Sequence, residues 1–512
     1  MKRRQFLIGG GILGLASGGI VLNSYQQQRP LGHDGFSPQD FSTFPALALA
    51  SSAVGEFHDK LKVVGALPKS IEGTLYRNGP GLFDRGGRRK LCLLDGDGMV
   101  QAFTIKNGEV TYRNRFVRTQ KFVEEERAGE FLHPSWTTQA PGGFWRNLVA
   151  GRYPNQAGIT VVHRNGRLFA FDEYKMPYEI DPKTLETIGL KNLGLSSVGT
   201  VVSAHSKIDQ RNGDWIFFGL EYGKDVILHL TILNSAGKLK NHQKAKLPRY
   251  TYLHDFFVTN NHVLLNLHPV ELDLMSLLSA RQSMVAALRW REELGNQVLV
   301  FKRDGQGAYQ NFEAPPSWMW HSMNAYEPKD GQLVIDFVGY DFPDHLLGPN
   351  PALMAIMKGE RVLMKNHGTL RRYLIDLKSK RLRHEILDGG NFEFPYVDPA
   401  VVGRSYRYGY AAEILRDDVF YNALVRFDLV RGTREVFDFG VGRYCSEPIF
   451  VPNRSGRGEG DGWVLVQGHD GVKRKGFLAV FDAQRVDDGP LAMCELNHAF
   501  PLSFHGCWVS ES

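Results

Sequence analysis

The sequence predicts an all-β fold arranged as one large β-propeller, and three observations lead there. Short runs of alternating apolar residues recur from Lys62 onward, as at 166–171, 215–219, 262–267 and 462–466. Turn signals separate them, including Lys106-Asn107-Gly108 and Arg164-Asn165-Gly166, which read as hairpin turns. Helical patterns are few over more than 400 of the 512 residues, which excludes a doubly wound α/β sheet. A closed ring of four-stranded blades is one of few ways to place so many short strands in one domain without long free edges. No internal repeat marks the blades, so the ring is argued from texture alone.

Composition agrees with a compact chain. Hydrophobic residues at 43%, charged residues at 23% and aromatics at 12% exclude a disordered, collagenous or coiled-coil protein. The formal net charge is +6, and removal of Lys2, Arg3 and Arg4 with a leader would halve it. The other basic residues are dispersed apart from short runs such as 85–90, so a nucleic-acid partner is set aside.

From the N-terminus, residues 1–24 join Lys2-Arg3-Arg4 to an uncharged stretch from Phe6 to Leu22 with six glycines, the form of an export signal or anchor. Arg3-Arg4 followed by Phe6-Leu7 resembles a twin-arginine signal and predicts a periplasmic or membrane-associated protein, with an ordinary secretory signal as the alternative. Residues 25–54, Pro-, Ser-, Gln- and Gly-rich in their first part, read as an extended lead-in, and 55–512 as a single propeller domain. Cys92, Cys445, Cys494 and Cys507 contain no CxxC pair, which argues against a zinc knuckle or thioredoxin-like site. An exported chain could oxidise two of them, or keep four free thiols. Residues 271–294 depart from the strand texture. There Leu274, Leu277, Leu278, Val285 and Leu288 follow a helical spacing, predicting a helix packed on the sheets or an amphipathic patch that touches a membrane and admits a lipophilic substrate.

Four of the seventeen histidines stand out by their surroundings: His205, His254, His321 and His505. Their gaps of 49, 67 and 184 residues are unlike a zinc finger or an HExxH helix. They suit a ring in which separate blades each offer one inner-strand side chain to the axis. Imidazole donors suit iron, zinc, copper or nickel and add no charge. Metal-bound imidazoles usually donate their second N–H to a carboxylate. Glu173, Glu393 and Glu447 are candidates, since each is an acid in an apolar, strand-like stretch where an unpaired carboxylate is costly.

These segments, in this order, resemble the carotenoid cleavage oxygenase family, which includes apocarotenoid-cleaving enzymes, stilbene-cleaving dioxygenases and the retinoid isomerase of the eye. The likeness runs from about Gly55 to the end. It begins with Leu-Pro-Lys-Ser-Ile-Glu-Gly-Thr-Leu-Tyr-Arg-Asn-Gly-Pro at 67–80, Asp-Gly-Asp-Gly-Met at 95–99 and Tyr-Arg-Asn-Arg-Phe-Val-Arg-Thr at 112–119, and continues through the acid and histidine segments. The resemblance implies a seven-bladed propeller beneath a helical or loop cap. It implies one non-haem Fe(II) held by His205, His254, His321 and His505, with Glu173, Glu393 and Glu447 behind three of them and His205 unsupported. It also implies dioxygen as co-substrate and scission of a conjugated C=C bond of a lipophilic substrate into two carbonyl fragments. An apocarotenoid is the first expectation and a stilbene the alternative. Lys121 lies about where stilbene-cleaving relatives carry a lysine that contacts substrate, the other reading being a solvated lysine at a strand end. Leu93-Leu94 before Asp-Gly-Asp-Gly, and Asn-Gln-Ala-Gly-Ile-Thr at 155–160, depart from the family's usual aromatic and Asn-x-Ala-Asn-Thr, on segments that could line the cavity. A retinoid-type isomero-oxygenase is a further alternative within the fold. A calcium-bearing propeller hydrolase or binding module is another from outside it, although the ordered histidines do not suit calcium's oxygen shell.

Overall fold

The computed structural model describes residues 29–30, 36–150, 154–199, 201–456 and 458–511. The expected signal at 1–24 and the start of the lead-in, 25–28 and 31–35, lie outside the described residues.

Alternating side chains form strands where neighbours bury the apolar face, and here most strands pair antiparallel with the next in sequence. Five four-stranded sheets arise in this way. They run from Thr160–Arg164 to Thr187–Leu190, Ser206–Asp209 to Leu239–Lys246, Phe257–Val258 to Gln310–Ala314, Ser322–Tyr326 to Arg381–Asp388, and Phe392–Tyr396 to Thr433–Asp438. A sixth sheet has nine strands. Arg443–Pro452, Gly462–Asp470, Lys475–Asp482 and Ala492–Glu495 continue through His58–Gly65 into Glu109–Phe116, Asp97–Lys106, Gly73–Leu82 and His505–Ser510. Five separate four-stranded sheets and one of nine thus stand where the resemblance implied seven blades. The last strand pairs with Gly73–Leu82, Asn78 opposite His505, so segments from the two ends of the chain close the ring.

The first strand of each sheet lies innermost. Phe392–Tyr396 packs on Arg443–Pro452, that strand on His505–Ser510, and the latter on Thr160–Arg164. Middle strands sit between neighbouring sheets, so every residue of Gly462–Asp470 is buried. Outer strands such as Leu239–Lys246 carry exposed lysines that discourage edge pairing. Both expected hairpins form: Asn107-Gly108 and Asn165-Gly166 take φ of 52° and 74°, and 51° and 74°, the left-handed pair a type I′ turn requires.

Two expectations are corrected. The lead-in is not extended throughout. Ser37 and Asp40 cap a helix at Pro38–Thr43, and Pro45–Ala50 forms a 3-10 helix. Phe41, Phe44 and the apolar residues 46–50 cannot stay in water, and they pack on Phe83, Leu93 and Ile356. Nor do residues 271–294 form one helix. Asp273 caps a short helix, Leu274–Leu278, which stops before Ala280 at φ 54°. The flanking strands Val270–Leu272 and Leu288–Trp290 pair as an arm. Residues of this arm and of the connections at 117–150, 154–159 and 340–368, in loops and short helices, pack together around Trp136, Trp318 and Trp320. All four cysteines are free, three of them buried.

Candidate metal centre

Each histidine owes its position to the start of an innermost strand. His205 and His321 directly precede Ser206–Asp209 and Ser322–Tyr326, His505 opens His505–Ser510, and His254 stands three residues before Phe257–Val258. The long gap before His505 has a topological cause, since the two intervening innermost strands offer Glu393 and Glu447 instead. One ring nitrogen from each of the four histidines lies within 4.8 Å of the other three. The Nε2 atoms of His205 and His254 are 3.0 Å apart.

Carboxylates occupy the outer edge of three rings. Glu393 Oε2 is 2.5 Å from His321 Nδ1, and Glu447 Oε1 is 2.8 Å from His505 Nδ1. Glu173 Oε1 lies 2.7 Å from His254 Nδ1, which Tyr252 Oη also approaches at 3.0 Å. Among the described residues, no carboxylate lies within ion-pair distance of the His205 ring. An acid at Nδ1 holds the proton there and leaves Nε2 with its lone pair turned inward. Burial drives His205, His254 and His505 well below the ordinary histidine range, so they are neutral donors. Burial also depresses His321, but Glu393 beside it outweighs this and lifts it. Glu173 is raised strongly by burial and by the nearby Asp172 and Asp255.

The acids are themselves held. Arg77, fully buried, donates through Nη1 to Glu447 Oε2 at 2.8 Å, and through Nη2 to Ser446 Oγ and the Phe504 carbonyl at 3.0 and 2.9 Å. The Gly506 N–H adds a bond of 2.9 Å to the same carboxylate oxygen. Tyr174 and Phe394, each directly after a glutamate, have φ of 50° and 53°. Bulky residues pay conformational energy there, as at many functional sites. The Phe394 ring stacks on His321 with centroids 5.4 Å apart.

An apolar cavity opens over the cluster. His254, His321 and His505 form part of its wall, with Leu94, Trp136, Ile159 and Phe420 among the rest. The departures at 93–94 and 155–160 therefore do reach the cavity, through Leu93, Leu94 and Ile159. A more polar cavity meets the cluster from the other side, past His205, Lys207 and Asp255. The Lys121 expectation is corrected in both of its forms. Its ammonium is buried in the first turn of the helix Gln120–Ala128, 2.6 Å from Asp97 and 3.0 Å from Glu125, and it is not among the cavity-lining residues.

Sequence reasoning missed Arg77, Tyr252 and Phe394. Arg77 carried a usable signal, a lone cation within an apolar strand motif. The donor set fits a transition metal: four imidazoles converge, and the buried Nε2 of His321 has no hydrogen-bond partner.

Residues 51–510 match the family described as RPE65, retinal pigment epithelial membrane protein. The chain belongs to this family. It is 30% identical over 458 residues to the apocarotenoid-15,15'-oxygenase of Synechocystis, covering 87% of this chain and 92% of the relative. It is 29% identical over 477 residues to the isoeugenol monooxygenase of Pseudomonas nitroreducens, covering 88% and 94%. The resveratrol cleavage oxygenase 1 of Aspergillus fumigatus is also 29% identical, over 481 residues covering 88% and 92%. Among solved structures, cobalt-substituted Synechocystis apocarotenoid oxygenase superposes with a TM-score of 0.85 at 28% identity, covering 94% of this chain and all of that one. The family match and these oxygenase relatives make the chain an oxidoreductase of the oxygenase type.

Proposed function

We propose that the protein is a non-haem Fe(II) dioxygenase that cleaves a conjugated C=C bond of an apocarotenoid to two carbonyl products. The observation that carries this reading is the set of four imidazoles at the base of an apolar cavity, three of them backed by glutamates. His205, His254, His321 and His505 would hold the ion, which when bound would supply dioxygen activation beside the olefin. Glu173, Glu393 and Glu447 fix the tautomer and direction of three rings. The apolar wall keeps water out and holds one double bond near the cluster, so the position of the cut follows from cavity depth.

The Synechocystis relative supports the apocarotenoid reading. Relatives named for isoeugenol and resveratrol support a stilbene-type substrate as the second reading. The burial of Lys121 between two acids takes away the cation which that reading would use. Dividing the nine-stranded sheet where Lys62 faces Glu495 would give two blades, and with the five other sheets a seven-bladed ring.

We also read 1–24 as a twin-arginine export signal, and the cap as a peripheral membrane contact. Trp145 on the helix Gly143–Ala150 is 74% exposed and Met275 on Leu274–Leu278 is 75% exposed. Both helices border a cavity that extends inward to Glu173. No helix among the described residues is long and apolar enough to cross a membrane.

The test is anaerobic Fe(II) loading, then exposure to air with a long apocarotenal or, separately, a hydroxylated stilbene, with products identified by mass spectrometry. Shorter carbonyl fragments from the apocarotenal are expected. Cleavage of the stilbene alone would move the assignment to the second reading, and isomerisation without loss of carbon would replace both.

A further inference from the structure

The cavity above the histidine cluster has mostly apolar and aromatic walls, and apart from His321 and Glu393 of the cluster itself, His345 is the lining residue with a buried polar atom that lacks a protein partner. The Trp320 indole N–H donates to His345 Nε2. An indole nitrogen can only donate, so Nε2 must be the lone-pair nitrogen and the neutral ring carries its proton on Nδ1. Burial keeps the ring neutral, pushing its pKa down to about 4. The side chains of Tyr340 and Trp320 pack around the imidazole, with centroids 4.9 and 5.8 Å away, and limit its rotation. His345 is only 6% exposed and lines the cavity, yet Nδ1 meets no acceptor. The adjacent Asp344 turns Oδ2 to the amides of Lys365 and Asn366, and its Oδ1 makes no bond to the ring. Buried donors without acceptors are rare and costly, and one set in a cavity wall calls for an acceptor from outside the protein.

We propose that His345 Nδ1–H binds an oxygen of the substrate, so that the olefin cleaved here carries a carbonyl, ether or hydroxyl oxygen on the part lying against Trp320 and Tyr340. This names the substrate class and rests on the oxygenase reading above. The donor selects by what it loses. A pure hydrocarbon in the same place leaves the N–H unpaired, whereas an oxygenated ligand satisfies it, and the difference falls on binding rather than on the bond-breaking step.

The test uses the full-length, iron-loaded protein under nitrogen, so that binding is read without turnover by quenching of tryptophan fluorescence. The probes are an apocarotenal and the polyene hydrocarbon of equal length that lacks its oxygen. Wild type should bind the aldehyde about tenfold more tightly, the scale of one hydrogen bond. His345→Phe should bind both probes alike, with its affinity for the hydrocarbon retained. His345→Gln can accept from Trp320 and donate onward, and should keep the preference. Equal binding of the two probes by wild type, or a preference that survives in His345→Phe, overturns the proposal and leaves the donor to water. Admitting air afterwards separates the two claims: the predicted preference without any cleavage would refute the dioxygenase reading and leave this one standing.

Discussion

Arg77→Met keeps a long side chain in a fully buried position and removes every donor it uses. Glu447 then keeps only the Gly506 N–H and His505, and its charge loses the cation 2.8 Å away. Removing one member of a buried charge pair costs about 3–5 kcal/mol. Unfolding entropy of about 2.1 cal/mol/K per residue gives a chain of this size roughly 1 kcal/mol/K, so the melting midpoint should fall by about 3–5 °C. Thermal melts of Arg77→Met, Glu447→Gln and the double variant, followed by tryptophan fluorescence, measure this. The double variant should recover about half of the Arg77→Met loss, because no uncompensated charge is left buried. Cobalt affinity, taken from equilibrium titration, should fall by about 10–100-fold in all three, since His505 loses its orienting acid or that acid's support. An Arg77→Met midpoint within about 1 °C of wild type, or a double variant that melts at the sum of the two single losses, would refute the pairing argument.

Other outcomes follow from the same geometry. His254→Ala or His505→Ala should abolish iron retention and turnover with circular dichroism unchanged, and full activity in either would end the four-histidine assignment. Glu393→Gln should lower metal affinity by about 10–100-fold, less than loss of a histidine; an equal loss would mean that Glu393 binds metal itself. Lys121→Met strands Asp97 and Glu125 in the interior and should cost about 3–5 kcal/mol by denaturant titration. A changed ratio of stilbene to apocarotenal cleavage with unaltered stability would restore Lys121 as a substrate contact. Burial opposes ionisation of Glu327, but bonds from His262, Thr259 and Asn261 outweigh it and hold the acid at about 2. A folded value below the unfolded one stabilises above the unfolded value and is lost on acidification. The melting difference between wild type and Glu327→Gln should therefore be constant near neutrality and shrink between about pH 5 and pH 2; a gap that widens on acidification would reverse the assignment.

How much of this was legible beforehand depends on whether a feature is local. Asn-Gly turns specify their own backbone, and alternating runs reveal strands without reference to the rest of the chain. The histidines could be singled out by context and family order, and the structure brings all four together with Glu173, Glu393 and Glu447 behind three of them. Arg77 stood out locally as a lone cation in its strand motif, but its role was hidden because its partners are about 370 and 427 residues away in sequence. Lys121 misled for a similar reason, since it lies on a helix and its nearer acid, Asp97, opens the strand Asp97–Lys106, 24 residues earlier. The helical spacing at 271–294 was real, but Asp273 and Ala280 bound the helix within a few residues, a decision taken by caps and not by periodicity. The helices of 36–54 needed the apolar floor formed by Phe83 and Ile356 before they were worth forming.

The strand that completes the ring also supplies His505, through its pairing with Asn78. A growing polypeptide therefore makes three of the histidines long before the fourth exists, and the pocket for an ion is finished only when the late segment zips against one made more than 400 residues earlier. Four-histidine binding of an ion would therefore have to wait for this closure. The link would work in reverse as well: whatever unzips this seam would release an ion held by the four histidines in the same event, and such an ion would clamp the seam by the strength of its own affinity.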